Sequence, residues 1–92
     1  MTKSELSAAI ADQLEFSKSQ ARSVLNTILE TMTDTLVRGG SIEIREFGSF
    51  IVRQYGAYEG RNPATGEKVQ VRRKKLPYFK VSKDLRMKVN QK

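Results

Sequence analysis

Residues 53–75 read RQYGAYEGRNPATGEKVQVRRKK. No side chain in this segment is both large and clearly inward-facing, so the segment cannot pack into a core and must project. We call it the arm. It predicts two strands of about 10 residues each, a ribbon on the order of 30 Å long with residues 62 and 63 at its tip. Because isolated two-stranded ribbons are only marginally stable in water, we expect the arm to be mobile until a partner orders it.

The residues before the arm predict two helices and a β-hairpin. A T-x-x-E capping box at residues 2–5 and an S-x-x-Q box at residues 17–20 begin two amphipathic helices, and the glycine pair at 39–40 ends the second. A short connection between them makes a helical hairpin. From Ser41 onward apolar and polar residues alternate, which predicts a β-hairpin with a turn near residues 46–48.

The residues after the arm predict a strand and a final helix. Residues 76–81 (LPYFKV) are typical of a core strand, which Pro77 places at a sheet edge or a bulge. Ser82 can cap a helix that runs from Lys83 to about Asn90. The predicted fold class is therefore α+β: an N-terminal helical hairpin, a three-stranded antiparallel sheet with a long protruding β-ribbon arm, and a short C-terminal helix.

The composition limits the core and excludes several kinds of site. The chain has 92 residues, 38% of them apolar, which makes one domain with a small core and leaves self-association open. It has no cysteine and no histidine. Disulfides, thiolate or imidazole metal sites and the common forms of acid/base or nucleophilic catalysis are therefore excluded, and we expect no metal and no cofactor. Without a membrane-length apolar run or a signal-peptide core, we expect a cytoplasmic protein.

The charge is concentrated in the C-terminal part of the chain. Residues 1–52 carry five basic and seven acidic side chains, a net charge of −2. Residues 53–92 carry twelve basic and three acidic side chains, a net charge of +9. Such an asymmetry speeds encounter with a polyanion, so we expect the C-terminal part to bind one.

The arm has two interpretations. A two-stranded ribbon edged with arginine and lysine matches a nucleic-acid groove in shape and charge, but a solvated hairpin kept charged against aggregation has the same composition. At the tip, Pro63 is either an ordinary turn residue or a wedge that enters between base steps, with Arg61 beside it in a narrow minor groove.

Several motifs together resemble one family. Residues 1–6 (MTKSEL), 47–50 (FGSF), 60–66 (GRNPATG), 77–80 (PYFK) and 83–86 (KDLR) are similar to the HU / integration host factor family of bacterial DNA-bending proteins. The resemblance covers essentially the whole chain in order and without gaps. The GRNPxTG tip is its most specific motif.

The resemblance implies an intertwined dimer that binds double-stranded DNA. It implies a single domain over residues 1–92, with a helical dimerisation base at 1–40, a sheet at 41–81 that includes the arm, and a C-terminal helix at 82–92. Two arms would wrap the duplex through its minor groove, with bent, nicked or junction DNA preferred. A homodimer is expected, and a heterodimer with a paralogue is the alternative.

The resemblance also assigns roles to individual residues. Pro63 corresponds to an intercalating proline, with Arg61 and Asn62 beside it. The basic residues that would line the arm and the DNA-facing saddle are Arg53, Lys68, Arg72, Lys74 and Lys75. The residues that would contact phosphates are Lys80, Lys83 and Arg86, together with the backbone turn at Gly48 and Ser49. The aromatic dimer core would consist of Phe47, Phe50 and Phe79.

Three parts of the chain depart from the family pattern. Glu46 stands where the family commonly has glycine, which places a carboxylate near the expected phosphate path. Ser82, preceded by Val81, replaces a common glycine and must serve as an ordinary N-cap. Tyr58 and Glu59 replace frequent arginines before the tip, while residues 72–75 (RRKK) are unusually basic, which suggests that contacts have moved between the arm strands.

The function expected from these features is non-enzymatic, HU-like DNA bending in the bacterial nucleoid, through phosphate neutralisation and little reading of base edges. A site-preferring subunit similar to integration host factor and a basic RNA-binding module are the alternatives, although A-form RNA offers a ribbon no comparable groove. A membrane-surface role lacks a tryptophan- or leucine-rich partner face. A nuclease lacks the acidic cluster of a two-metal site.

Overall fold

The computed structural model describes residues 1–56, 58–61, 64–71 and 74–91. Contacts divide the chain into two compact units, Met1–Thr35 and Leu36–Lys92. The elements are α1 (Lys3–Leu14), α2 (Lys18–Val37), β1 (Ile42–Ile44), β2 (Gly48–Tyr55), β3 (Tyr58–Arg61), β4 (Lys68–Val71), β5 (Lys74–Val81) and α3 (Lys83–Val89). Strands β1, β2 and β5 form a three-stranded antiparallel sheet in that order, and β3 pairs with β4. The predicted α+β fold class is confirmed.

Both predicted capping boxes begin helices. Thr2 Oγ1 accepts the backbone N–H of Glu5 at 3.2 Å and donates its hydroxyl to Glu5 Oε1 at 3.2 Å. Ser17 Oγ accepts the N–H of Gln20 at 3.1 Å, while Gln20 Oε1 accepts the N–H of Ser17 at 2.9 Å. Each box thus supplies partners for N–H groups that an open helix end leaves unpaired. After α2, Gly39 adopts the predicted left-handed conformation, with φ +81°.

The buried apolar core of a single chain is very small. Among the described residues, Ala21 and Leu25 of α2 are the only buried apolar side chains. Five large apolar side chains of the helical stripes are instead exposed by more than a third: Leu6, Leu14, Val24, Ile28 and Leu29. Burial of apolar area is the main stabilising contribution to folding. A single chain therefore lacks most of the stabilisation that burial of these side chains would give. No helix in the described part of the chain is long and apolar enough to span a membrane.

Strand β5 runs along an edge of the three-stranded sheet. Pro77 lies in the middle of it, opposite Val52 of β2. A proline has no N–H to donate to a neighbouring strand, so it is tolerated where one side of the strand is unpaired. The predicted edge position of Pro77 is confirmed.

The described residues of the arm are paired in two ladders. Pairing of β2 with β5 continues to Tyr55 and Lys74, so residues 53–55 and 74–76 extend the three-stranded sheet. The next described pair is Tyr58 with Val71, in the β3–β4 ladder. Two residues separate Tyr55 from Tyr58, and two residues separate Val71 from Lys74. The β2–β5 and β3–β4 ladders therefore have the same register. Pairing of β2 with β5 therefore orders the base of the arm, beyond the residues of β2 that pair with β1.

The turn between β1 and β2 holds a strained residue. Glu46 adopts φ +68°, the left-handed region that residues with a Cβ rarely occupy. The N–H of Phe47 donates to the carbonyl of Ile44 at 3.0 Å and closes the turn. The conformation explains why glycine suits this position, which is where the sequence departs from the family pattern.

We expect Glu46→Gly to raise the free energy of unfolding by about 1 kcal/mol, because relief of the left-handed strain exceeds the extra freedom that glycine has when unfolded. Urea denaturation at fixed protein concentration measures the change. Glu46→Gln is the matched control, since it removes the same charge and keeps the Cβ. Equal stability of the two variants would show that the backbone at residue 46 is not strained.

The last helix is capped as predicted. Ser82 Oγ accepts the N–H of Leu85 at 3.1 Å, and the N–H of Ser82 donates to the carbonyl of Phe47 at 3.0 Å. The second bond ties the start of α3 to the β1–β2 turn. Lys83, the first residue of α3, therefore follows a segment that the sheet holds in place.

Candidate nucleic-acid interface

The three-stranded sheet presents a cationic face. Side chains alternate between the two faces of a strand, and residues paired across strands share a face. Arg53, Lys74 and Lys80 therefore lie on one face, because Arg53 pairs with Leu76, Tyr55 with Lys74, and Ser49 with Lys80. We call this the cationic face; its β2 and β5 residues are Ser49, Ile51, Arg53, Tyr55, Lys74, Leu76, Tyr78 and Lys80.

The register separates the two lysines that the sequence could not tell apart. Lys75 pairs with Gln54, so it lies on the face opposite to that of Lys74. Lys74 shares the cationic face with Arg53 and Lys80. Both lysines are exposed. Of the two, only Lys74 is placed to act together with the other cations of that face.

Arg53 stacks on an aromatic ring of the same face. Its Cζ lies 3.5 Å from the centroid of the Tyr78 ring. Such a cation–π contact is electrostatically favourable, because the face of the ring is negative. The stack fixes the guanidinium against the sheet.

Helix α3 carries two predicted phosphate-binding cations, Lys83 at its first position and Arg86 in its last turn. Lys83 and Arg86 are three positions apart, so they are neighbours on the helix surface. Both are exposed, as is Lys80 at the adjoining end of β5. Among the described side chains no carboxylate forms an ion pair with these three cations.

Gly48 and Ser49, which were predicted to form a turn, are instead the first two residues of strand β2, directly after the turn at residues 45–47. Gly48 is buried at the start of β2, paired with both Ile44 and Val81. A Cβ on it would lie 2.6 Å from the carbonyl oxygen of Lys80 and 2.6 Å from ring atoms of Phe79. Ser49, its half-buried neighbour, lies on the cationic face opposite Lys80.

The described part of the arm brings two predicted residues together. Arg61 pairs with Lys68 in the last described pair of the β3–β4 ladder. Beyond them, Thr65 Oγ1 accepts the N–H of Glu67 at 3.3 Å and Gly66 adopts φ +73°, as a turn requires. Asn62, Pro63 and Arg72 lie outside the described residues.

The predicted aromatic dimer core forms a cluster opposite the cationic face. The ring centroids of Phe50 and Phe79 are 4.7 Å apart, and those of Phe47 and Phe79 are 5.5 Å apart. Phe47 nevertheless remains 44% exposed and Phe79 37% exposed. Aromatic rings left this open beside a small sheet can contact a further apolar surface.

A second basic cluster was missed by the sequence analysis. Lys3, Lys18 and Arg22 line one open cleft between α1 and α2, together with a single acid, Asp12. The net charge of −2 over residues 1–52 does not reveal this cluster, because the acidic side chains of that segment outnumber the basic ones. The signal was the i, i+4 spacing of Lys18 and Arg22, which places both on one face of a helix.

Comparison with known proteins agrees with this geometry. The family model of bacterial DNA-binding proteins matches residues 1–90. DNA-binding protein HU-1 of Halalkalibacterium halodurans is 41% identical over 90 residues, which cover 98% of this chain and 100% of that protein. Integration host factor subunit beta of Dechloromonas aromatica is 46% identical over 92 residues, which cover 99% of this chain and 98% of that protein.

Solved structures give the same result. The chain is similar to HU in an Anabaena HU–DNA cocrystal structure with a TM-score of 0.86 and 38% identity, and the match covers 100% of both chains. HU from Thermotoga maritima matches with a TM-score of 0.68 and 30% identity, covering 98% of this chain and 100% of that one. The chain therefore belongs to the HU / integration host factor family of bacterial DNA-binding proteins, which are non-enzymatic architectural proteins that bind DNA and form dimers.

Proposed function

We propose that this chain bends duplex DNA as an HU-like, nucleoid-associated protein of the bacterial cytoplasm. Two arms enter the minor groove, and Pro63 intercalates at each tip. The cations of the three-stranded sheet and of α3 neutralise phosphates. The observation that carries the proposal is the cationic face, on which exposed Arg53, Lys74 and Lys80 lie together. That face belongs to the sheet whose two long strands lead into the β3–β4 ladder.

Phosphate neutralisation supplies most of the affinity in this proposal. Lys80, Lys83 and Arg86 are exposed and form no ion pair with a described carboxylate, so among the described residues none competes with a phosphate for their charge. Each neutralised phosphate releases condensed counterions, which makes the affinity steeply dependent on salt and nearly independent of sequence. Base-edge reading has little part in this proposal, since contacts of lysine and arginine with phosphates carry no sequence information.

The dimer is proposed to be an intertwined homodimer, with a paralogue as the alternative partner. The support is the amount of apolar surface that one chain leaves uncovered in both units. Ile28 is 48% exposed on α2, and Leu76 and Phe47 are 48% and 44% exposed in the second unit. Covering side chains from both units at once requires contacts along the whole chain, as an intertwined arrangement provides.

A site-preferring role is the second candidate. It is favoured by the 46% identity with an integration host factor beta subunit, which is higher than the 41% identity with an HU protein. Gel shifts on random linear, nicked, four-way-junction and genomic duplexes at two salt concentrations separate the two roles. Similar binding to all linear sequences supports the HU-like role; a preferred site tighter by ~4 kcal/mol or more supports the other. Tighter binding to double-stranded RNA than to DNA would support an RNA-binding module instead.

Pro63→Ala is expected to reduce the DNA bend angle strongly and the affinity only slightly. Removing the ring removes the wedge that unstacks a base step, while the phosphate contacts remain. Fluorescence energy transfer between the ends of a short labelled duplex measures the bend, and titration of the same duplex measures the affinity.

Pro77→Ala is the matched control, because the chain has only these two prolines and Pro77 lies in the edge strand β5. It should leave the bend angle unchanged. Equal bending by the unchanged chain and the Pro63→Ala variant would rule out the wedge, and an unchanged DNA end-to-end distance on binding would rule out bending altogether.

A further inference from the structure

We infer that Tyr78 is a positioning residue for DNA binding. Its ring holds the guanidinium of Arg53 flat against the cationic face, with the N–H edge of Arg53 free to meet a phosphate. The inference rests on the proposed function and adds to it a residue that has no charge of its own.

The contact follows from the register of the sheet. Arg53 pairs with Leu76, and Tyr78 pairs with Ile51, so Arg53 and Tyr78 are diagonal neighbours on one face. Diagonal positions in an antiparallel pair are within reach of long and aromatic side chains. The result is a distance of 3.5 Å between Arg53 Cζ and the ring centroid. Among the described cations, Arg53 is the only one with such a ring contact.

Stacking leaves the binding groups of arginine unused. The ring contacts the flat face of the guanidinium, whereas its five N–H donors lie in the plane and point outward from the edge. No ion pair with a described carboxylate occupies that edge. A phosphate can therefore be bound in the bidentate manner that arginine favours, while the stack remains intact.

Pre-stacking also explains why an exposed arginine would bind well here. Tyr78 is 40% exposed and Arg53 is exposed, so burial does not hold the arginine in place. Without the ring, the long side chain would lose its rotamer freedom only when DNA binds. With the ring, part of that ordering has already occurred in the free protein. A lysine at the same position could supply the charge but neither the stack nor the fork of donors.

The test measures DNA affinity across a salt series for variants of both residues. Tyr78→Ile replaces the ring by a β-branched side chain, which also favours a strand, and is expected to weaken binding about threefold at every salt concentration, with the salt slope unchanged. Tyr78→Phe keeps the ring and should bind like the unchanged chain. Arg53→Lys keeps the charge and should lose about as much affinity as Tyr78→Ile. Arg53→Gln should reduce the salt slope by about 0.9 for each copy in the dimer.

Combining variants of the two residues distinguishes a positioning role of Tyr78 from a purely structural one. In the Arg53→Lys background, Tyr78→Ile should have almost no further effect. Tyr55→Ile is the matched control, because Tyr55 is a comparably exposed tyrosine of the same face without a described contact to Arg53. Any loss that it causes should be the same in both backgrounds. Arg53→Lys leaves the apolar side chains of the sheet untouched, so its result stands even if a Tyr78 variant folds poorly.

Three results would overturn the inference: full affinity of Tyr78→Ile, full affinity of Arg53→Lys, or an equal loss from Tyr78→Ile in both backgrounds. Each of them is compatible with bending by the unchanged chain and leaves the proposed function intact. If the unchanged chain bound no duplex DNA, the proposed function and the inference would both be wrong.

Discussion

Replacing Gly48 by alanine is expected to lower the free energy of unfolding by about 2–3 kcal/mol, which corresponds to a fall in Tm of about 10–20 °C. The added Cβ would lie 2.6 Å from the carbonyl oxygen of Lys80 and 2.6 Å from Cε1 and Cζ of Phe79. The ring can move at some cost to the aromatic cluster. The carbonyl belongs to the backbone of β5, so relief requires β2 and β5 to separate where they are paired.

Gly56→Ala is the matched control for Gly48→Ala. Gly56 directly follows β2, has no left-handed φ, and a Cβ on it would meet no atom within 4 Å. The Tm of the Gly56→Ala variant should differ from that of the unchanged chain by no more than about 3 °C. Thermal unfolding followed by circular dichroism, at one protein concentration because the protein is a dimer, provides the comparison. Similar Tm values for the two variants would contradict the close packing at Gly48.

The double variant Lys83→Gln and Arg86→Gln is expected to weaken DNA binding about a thousandfold at 0.15 M salt. A homodimer would lose four phosphate contacts, which takes the log-log salt slope from near −7 to about −3.5. The fold loss should be about the same for every sequence, because phosphate contacts carry no sequence information. Fluorescence anisotropy with two unrelated duplexes at several salt concentrations measures both quantities.

Arg38→Gln with Arg45→Gln is the control for that experiment. It removes the same net charge from residues that are not among the predicted contacts. Its salt slope should stay near that of the unchanged chain. If the two double variants had the same slope, the affinity would reflect net charge alone, and α3 would have no particular role.

The local structure of this chain could be predicted because its signals are short-range. The boxes at residues 2–5 and 17–20 and the cap at Ser82 each depend on groups within three or four positions, and the structure forms the predicted bonds. Pro77 signalled an edge strand because it lacks an N–H. The motifs at 60–66 and 47–50 were enough to identify the family, and the expectation of a non-enzymatic protein is confirmed with it.

The features that were missed depend on pairing between distant segments. The stack of Arg53 on Tyr78 and the separation of Lys74 from Lys75 follow from which residue of β5 faces which residue of β2. One position of slip would reverse every face, and alternation alone does not fix the register. The cleft that gathers Lys3, Lys18 and Arg22 needs two helices side by side. The positive φ of Glu46 shows why glycine suits this position, which the sequence alone did not reveal.

The most direct test of phosphate-driven DNA binding is the affinity of the unchanged chain for a random-sequence linear duplex as a function of salt. A surface that neutralises about eight phosphates gives a straight line in a log-log plot with a slope near −7. A slope close to zero would contradict phosphate neutralisation as the source of affinity, and with it the role assigned to the cationic face and α3.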